Sequence, residues 1–337
     1  KAVNFFNKEA ERLAENNIDI YLIAGNHDPY KEKSSLFKMP DNVDIFAADE
    51  VECKEITDQA GKLKARIMGQ SYRGSSDSRK MYSFFTPPDR GVVNIGLLHT
   101  QLDPDNSDYV PCSLEEIKNK DDIDYWALGH IHQRRIFNKE NPTVVYPGIP
   151  QGRDFGETGP GGCYLVEIEK GKSSELTFIP SSKTIWEEVS IEIKEENEVN
   201  NLDEIVDYLR QKAVELFTEE IKTENVSFEL DGFILRWNVS LTGGLGADLK
   251  ERKEETEEYL KEELRENLQY QKPFIWTESC NLEFIDKLPE REELAESNSV
   301  FEEIFAVKDQ LEKDEKLYQE LKKELGDIWQ GSGDKEK

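Results

Sequence analysis

Cysteine is scarce in this chain. The four thiols, Cys53, Cys112, Cys163 and Cys280, are widely spaced and form no C-x-x-C pair. That excludes a zinc knuckle and a disulfide framework, and leaves idle thiols in a reducing cytoplasm as the simplest reading. Long hydrophobic runs are missing as well. No apolar stretch approaches the roughly 20 residues of a membrane span, so no membrane partner is expected and the chain reads as soluble and cytoplasmic. The opening residues, KAVNFFNKEAERLAENN, lack the apolar core and cleavage signature of a signal peptide. They also lack an initiating Met, so the chain is expected to begin inside a domain. Basic residues are outnumbered: 43 Lys and Arg face 71 Asp and Glu, for a formal net charge of −28. Residues 171–337 alone carry 43 acidic against 22 basic side chains. Such a surface repels polyanions at long range, which argues against a general nucleic-acid binder.

What is present suffices for real cores. The 337 residues are 36% hydrophobic and 10% aromatic, enough for two or three domains. Residues 3–16 have helical spacing in Val3, Phe6, Ala10 and Leu13, and 18–24 (IDIYLIA) read as a buried strand ended by Gly25. Strands are expected at 92–98, 124–128, 134–137, 143–146, 162–169 and 175–180. Between the first two lies a short helix at 113–118, whose Ser113 and Glu116 fit a capping box. Strands alternating with helices point to an α/β or α+β layered core. Beyond residue 180 the pattern becomes a strand (WEEVSIEI), a helix (LDEIVDYLRQKAVELF) and two strands about the Asp231-Gly232 turn signal. Glu/Lys-rich helices follow at about 247–270 and 299–325, then the polar tail QGSGDKEK.

Histidine is as rare as cysteine, and its placement is informative. His27, His99, His130 and His132 each lie at or just beyond the expected C-terminal end of a strand, in YLIAGNH, NIGLLH and ALGHIH. Carboxyl ends of strands are where layered α/β proteins bind ligands. A single such histidine would read as structural; four of four in one context point to a shared site. Neutral imidazoles beside the Asn26 amide oxygen suit a Zn, Mn or Fe type divalent ion. His27 is free to donate to a phosphate or leaving oxygen, with Asp28 fixing its tautomer. This donor set suits a binuclear hydrolase, in which two ions activate water and clamp a phosphoryl group.

The stretches GNHD, GLLHT and ALGHIH resemble the later signature motifs of calcineurin-like metallophosphoesterases. Their spacing and flanks are most similar to SbcD-type DNA repair exonucleases of the YhaO-type branch, to which YPGIPQGRDFGETGPGGCYLVEI (146–168) is also similar. The resemblance is strong over about 18–190 and looser to about 245. It implies an α/β (α+β) layered metallophosphoesterase sandwich over 1–180, N-terminally incomplete, with a small α+β capping domain over 181–245. A helical partner-docking segment would occupy 246–330 and a disordered tail 331–337. Two divalent metal ions, Mn2+ by preference, are implied. Asn26, His99 and His130 would hold one ion and His132 the other, while His27 would stabilise or protonate the leaving group. Arg153 is a weaker candidate for a phosphate contact, its alternative being to hold a loop. Tyr72 and Arg73 are candidates for the site rim.

Two features depart from the family pattern. The Asp-x-His and Gly-Asp-x-x-Asp strand ends do not occur upstream of Asn26, and Ile149 and Asp154 stand where relatives usually carry a polar residue and His. The implied activity is a metal-dependent nuclease acting on DNA ends in DNA repair, beside an SMC-like ATPase of the SbcC type, with a homodimer left open. Residues 1–337 alone are expected to be inactive. The apolar stripe Val300, Ile304, Val307 and Leu311 is the expected docking face. Competing readings are a non-catalytic scaffold of the same fold and a phosphodiesterase of small nucleotides.

Overall fold

The structure is a computed structural model that describes residues 2–30, 39–102, 108–223, 230–242, 246, 249–285 and 299–313. It divides into two compact units. The first comprises Lys1–Ile191, Asn201–Val239 and Glu254–Asn281. Helix α1 (Ala2–Ala14) leads into β1 (Ile20–Leu22), which pairs in parallel with β2 (Val43–Ile45). A six-stranded mixed sheet follows, built from β3 (Glu52–Thr57), β4 (Leu63–Gly69), β5 (Val93–His99), β6 (Tyr125–Gly129), β7 (Arg135–Asn138) and β8 (Thr143–Tyr146). Its order is β3-β4-β5-β6-β8-β7, with β4, β5, β6 and β8 parallel and the two edge strands antiparallel.

The parallel strands are apolar runs because both faces are covered. Leu98, Trp126, Leu128, Val144 and Tyr146 are buried with Met68, Tyr72, Met81 and Phe85 in one core. Helix α2 (Leu114–Lys118) crosses from β5 to β6 and starts as its sequence requires. Ser113 Oγ accepts from the Glu116 N–H (3.1 Å), and the Ser113 N–H donates to Glu116 Oε2 (2.8 Å). The register sets His99 opposite Gly129, so β5 and β6 end side by side.

Strands β9 (Gly162–Glu167) and β10 (Glu175–Pro180) form an antiparallel hairpin. A three-stranded sheet follows, in the order β11 (Thr184–Ile193), β12 (Gly232–Thr242), β13 (Phe274–Ile285). Helix α3 (Leu202–Thr223) buries Ile205, Val206, Leu209 and Ala213. Helix α4 (Lys253–Leu268) buries Leu260, Leu264 and Leu268, a stripe at i, i+4, i+8. Tyr259 on α4 donates to Asp203 on α3 (2.7 Å), and Arg265 Nε donates to the Thr277 carbonyl on β13 (2.7 Å). The sequence pattern did not reveal β13, which falls in the gap between the helices expected at about 247–270 and 299–325. The VSFEL strand expected before Asp231-Gly232 falls almost wholly outside the described residues, and the polar tail falls wholly outside them.

The second unit comprises Glu192–Asn200, Ser240–Lys253 and Leu282–Lys337. It contains α5 (Ser299–Lys313), where Val300, Ile304 and Val307 are exposed; the Leu311 side chain lies outside the described set. The mixed sheet and five α-helices of the described residues bear out a layered α/β architecture. None of these helices is long and apolar enough to cross a membrane.

Candidate metal centre

Three strand ends converge around one buried serine. Ser71, just past β4, accepts from the Ala24 N–H (2.9 Å) and donates to the Phe46 carbonyl (2.5 Å). Its own N–H reaches the Ala47 carbonyl, and the Tyr72 N–H reaches that of Ala24, both at 2.9 Å. These bonds hold the segment after β1 against the ends of β2 and β4, and so fix where Gly25, Asn26 and His27 emerge.

His99 closes the group. Its Nε2 lies 2.8 Å from Asn26 Oδ1, across 73 positions of sequence. The ring is held on several sides: Tyr72 meets it edge-on at 5.1 Å between centroids, and His130 at 5.2 Å. A methyl group on Gly25 would lie 2.5 Å from His99 Cε1, and one on Gly129 would lie 3.0 Å from Nδ1. Glycine is therefore required where the backbone passes this close to the imidazole.

His130 follows β6 with φ at +104°, a left-handed conformation uncommon for a residue with a side chain. Its ring stacks on Tyr109 at 4.9 Å and 29°. Tyr109 is itself placed by Asp77: the Val110 N–H donates to the Asp77 carbonyl (2.6 Å) and the Asp77 N–H to that of Asp108 (2.8 Å). The Asp77 carboxylate takes the Arg79 fork at 2.8 and 2.5 Å. Strain at His130 is thus met by packing from two directions.

His132 has a carboxylate partner. Its Nδ1 lies 2.6 Å from Glu157 Oε1, and the same carboxylate accepts from Arg153 Nε (3.1 Å) and Nη2 (2.6 Å). Arg153 is therefore engaged by a carboxylate. His27 and Asp28 are both exposed, and no hydrogen bond joins them among the described residues. Tyr72 is fully buried beneath His99, not at the rim, and its hydroxyl has no hydrogen-bond partner there. Arg73 is exposed and pairs with Asp49 at 2.8 Å. Beside His132 opens a cavity of about 420 Å3, lined among others by Arg134, Gly148, Ile149 and Glu157.

The electrostatics favour neutral imidazoles. Burial holds the His99 pKa down to about 4, and His130, His27 and His132 add to the effect. His130 is lowered too, by burial first and then by His132 and His27. The Arg153 guanidinium, with help from His132, holds the Glu157 carboxyl down to about 2. Lone pairs rather than protons are what a divalent cation requires of these rings.

The donor chemistry fits a divalent cation in part. The 2.8 Å between Asn26 Oδ1 and His99 Nε2 is close to the roughly 3.0 Å edge of an octahedron with ~2.1 Å bonds. Among the described residues, however, no three His, Cys, Asp or Glu side chains converge on one point. The structure thus brings together Asn26, His99 and His130, and sets His132 with Glu157. Sequence reasoning missed Ser71, Tyr109 and Glu157. Only Glu157 left a trace, as the acidic residue four places after Arg153 in QGRDFGE.

The calcineurin-like phosphoesterase superfamily domain matches residues 3–171. The uncharacterized metallophosphoesterase YhaO of Bacillus subtilis is 33% identical over 209 residues, covering 61% of this chain and 50% of its own length. The DNA double-strand break repair protein Mre11 of Methanocaldococcus jannaschii is 28% identical over 214 residues, covering 59% of this chain and 53% of its own. The chain thus spans about half the length of these curated relatives.

Proposed function

Because the chain belongs to the calcineurin-like phosphoesterase superfamily, a class of divalent-metal hydrolases, we propose that it serves a phosphodiesterase that cuts DNA ends with two Mn2+ ions. The observation that carries this is the meeting of Asn26 Oδ1 with His99 Nε2, with the His130 ring beside them, at the ends of separate strands. Similarity to a relative named for double-strand break repair supports DNA as the substrate. Asn26, His99 and His130 would hold one ion and His132 the other. When bound, such ions activate water and neutralise phosphoryl charge. The chain's own residues do the rest. Gly25 and Tyr72 keep the His99 ring in place, and Tyr109 does the same for His130. His27, exposed beside them, would hold a proton at the leaving oxygen. The cavity next to His132 gives the substrate room. An SMC-like ATPase of the SbcC type would dock on the exposed stripe of α5.

The test is metal content and cleavage of linear duplex DNA, measured side by side in the full protein. His27→Ala should abolish cleavage while leaving bound Mn2+ nearly intact, whereas His99→Ala should lower both. Loss of metal from His27→Ala would overturn the division of roles. Turnover of bis(p-nitrophenyl) phosphate without any cutting of DNA would overturn the substrate.

A further inference from the structure

Glu157 lies inside the 146–168 stretch quoted for the family resemblance, where it was given no role, yet it is among the most firmly held side chains near the site. Its side chain is 8% exposed, while that of its partner Arg153 is 71% exposed. The backbone around it is stiff. The Glu157 N–H donates to the Asp154 carbonyl (3.0 Å), and the Gly156 N–H donates to Asp154 Oδ1 (2.8 Å). The two bonds close a tight turn. A methyl group on Gly152 would sit 2.3 Å from the Glu157 carbonyl oxygen, and Trp186 Nε1 donates to the Gly152 carbonyl (3.2 Å). Arg153 adds its backbone N–H to Glu157 Oε2 at 3.0 Å. A carboxylate gripped by one guanidinium and one N–H has a fixed orientation. Its Oε1 points at His132 Nδ1, 2.6 Å away.

An ionised carboxylate only accepts hydrogen bonds. The ring atom facing it must then carry the proton, and the second nitrogen is left with a lone pair. We propose that Glu157 is the positioning residue of His132: its carboxylate holds the proton on Nδ1, orients the ring and leaves Nε2 as the atom that binds a cation. Arg153 keeps the carboxylate from rotating away. Carboxylates behind ligating histidines act this way in metal sites, and losing one costs about 10- to 100-fold in metal affinity. The inference rests on the reading of His132 as a metal ligand.

Two measurements on the full chain test it. Long-range 1H–15N spectra without metal should show His132 protonated at Nδ1 and unprotonated at Nε2. In Glu157→Gln, whose amide also donates, the Nε2–H form should appear. Calorimetry with Mn2+ alone should then show at least about a tenfold loss of affinity for this variant. In a His132→Ala background the same substitution should change affinity less than about twofold, because its effect runs through the ring. A wild-type His132 protonated at Nε2 would overturn the proposal, even if Glu157→Gln does not fold. So would wild-type Mn2+ affinity in Glu157→Gln, or losses that simply add. If the wild-type chain binds no Mn2+, the metal reading above fails, while the tautomer spectra still judge the Glu157–His132 pair.

Discussion

A single hydrogen atom separates a working His99 from a displaced one. Replacing the Gly25 hydrogen by a methyl group would set carbon 2.5 Å from His99 Cε1, closer than van der Waals contact permits. The ring has little room to retreat, since Tyr72, His130 and Gly129 crowd its other sides. Gly25→Ala is therefore expected to cost about 1–3 kcal/mol in unfolding free energy, the usual range for overpacking, and to weaken Mn2+ binding by more than about tenfold. Urea unfolding and calorimetry on the same sample check both; unchanged metal affinity would mean that His99 does not bind through Nε2. At this scale the sequence displays the histidines but hides what holds them. His27, His99 and His130 end apolar runs, a feature visible in any short window. Tyr109 lies 21 positions from His130 and Glu157 lies 25 from His132, and no local pattern carries such pairings. Arg153 illustrates the same limit: the QGR segment suits a phosphate contact or a loop anchor, and nothing within it announces that Glu157 sits in its fork.

Elements were legible where local chemistry decides them. Ser113 and Glu116 announce the start of α2, and the structure makes both bonds of the box. The same pair yields a pH prediction. Glu116 accepts from the Tyr82 hydroxyl, from the Ser113 N–H and from Lys80, and its pKa falls to about 2, the Tyr82 bond being the largest cause. A carboxyl more acidic in the folded chain than in the unfolded one stabilises the fold above its unfolded pKa, roughly 4.3. That stabilisation is lost as pH falls toward 2. Urea titrations of wild type and Glu116→Gln should therefore differ most above pH 5 and converge toward pH 2; a constant gap would show that the charge contributes nothing. Strands were legible only when apolar. In β13 the buried positions run Ile275 and Thr277, then shift phase to Cys280 and Leu282, so no steady alternation marks the strand. In β3 and β4 the outward Lys and Glu residues dilute the signal, and partners across the sheet supply the stability instead.

At the scale of the whole molecule, charge sets how a polyanion is met. With a net charge of −28, the protein presents DNA with long-range repulsion that salt screens over a Debye length of about 8–10 Å. A basic DNA-binding protein making 6–10 phosphate contacts loses roughly 10³- to 10⁵-fold in affinity between about 50 and 200 mM salt, because it releases condensed counterions. On the proposed reading the attraction would be confined to a small site whose positive charge comes from bound ions and a few side chains, and it would act within a few ångströms. Screening therefore removes repulsion faster than it removes attraction. The affinity of the Mn2+-loaded protein for a short duplex, followed by fluorescence anisotropy over about 50–200 mM NaCl, should be flat or should rise. A chelator such as EDTA should abolish binding at every salt concentration. A steep negative slope would instead place the DNA on an extended basic surface, which the composition gives little means to build, and would move recognition away from the His99–His130 centre.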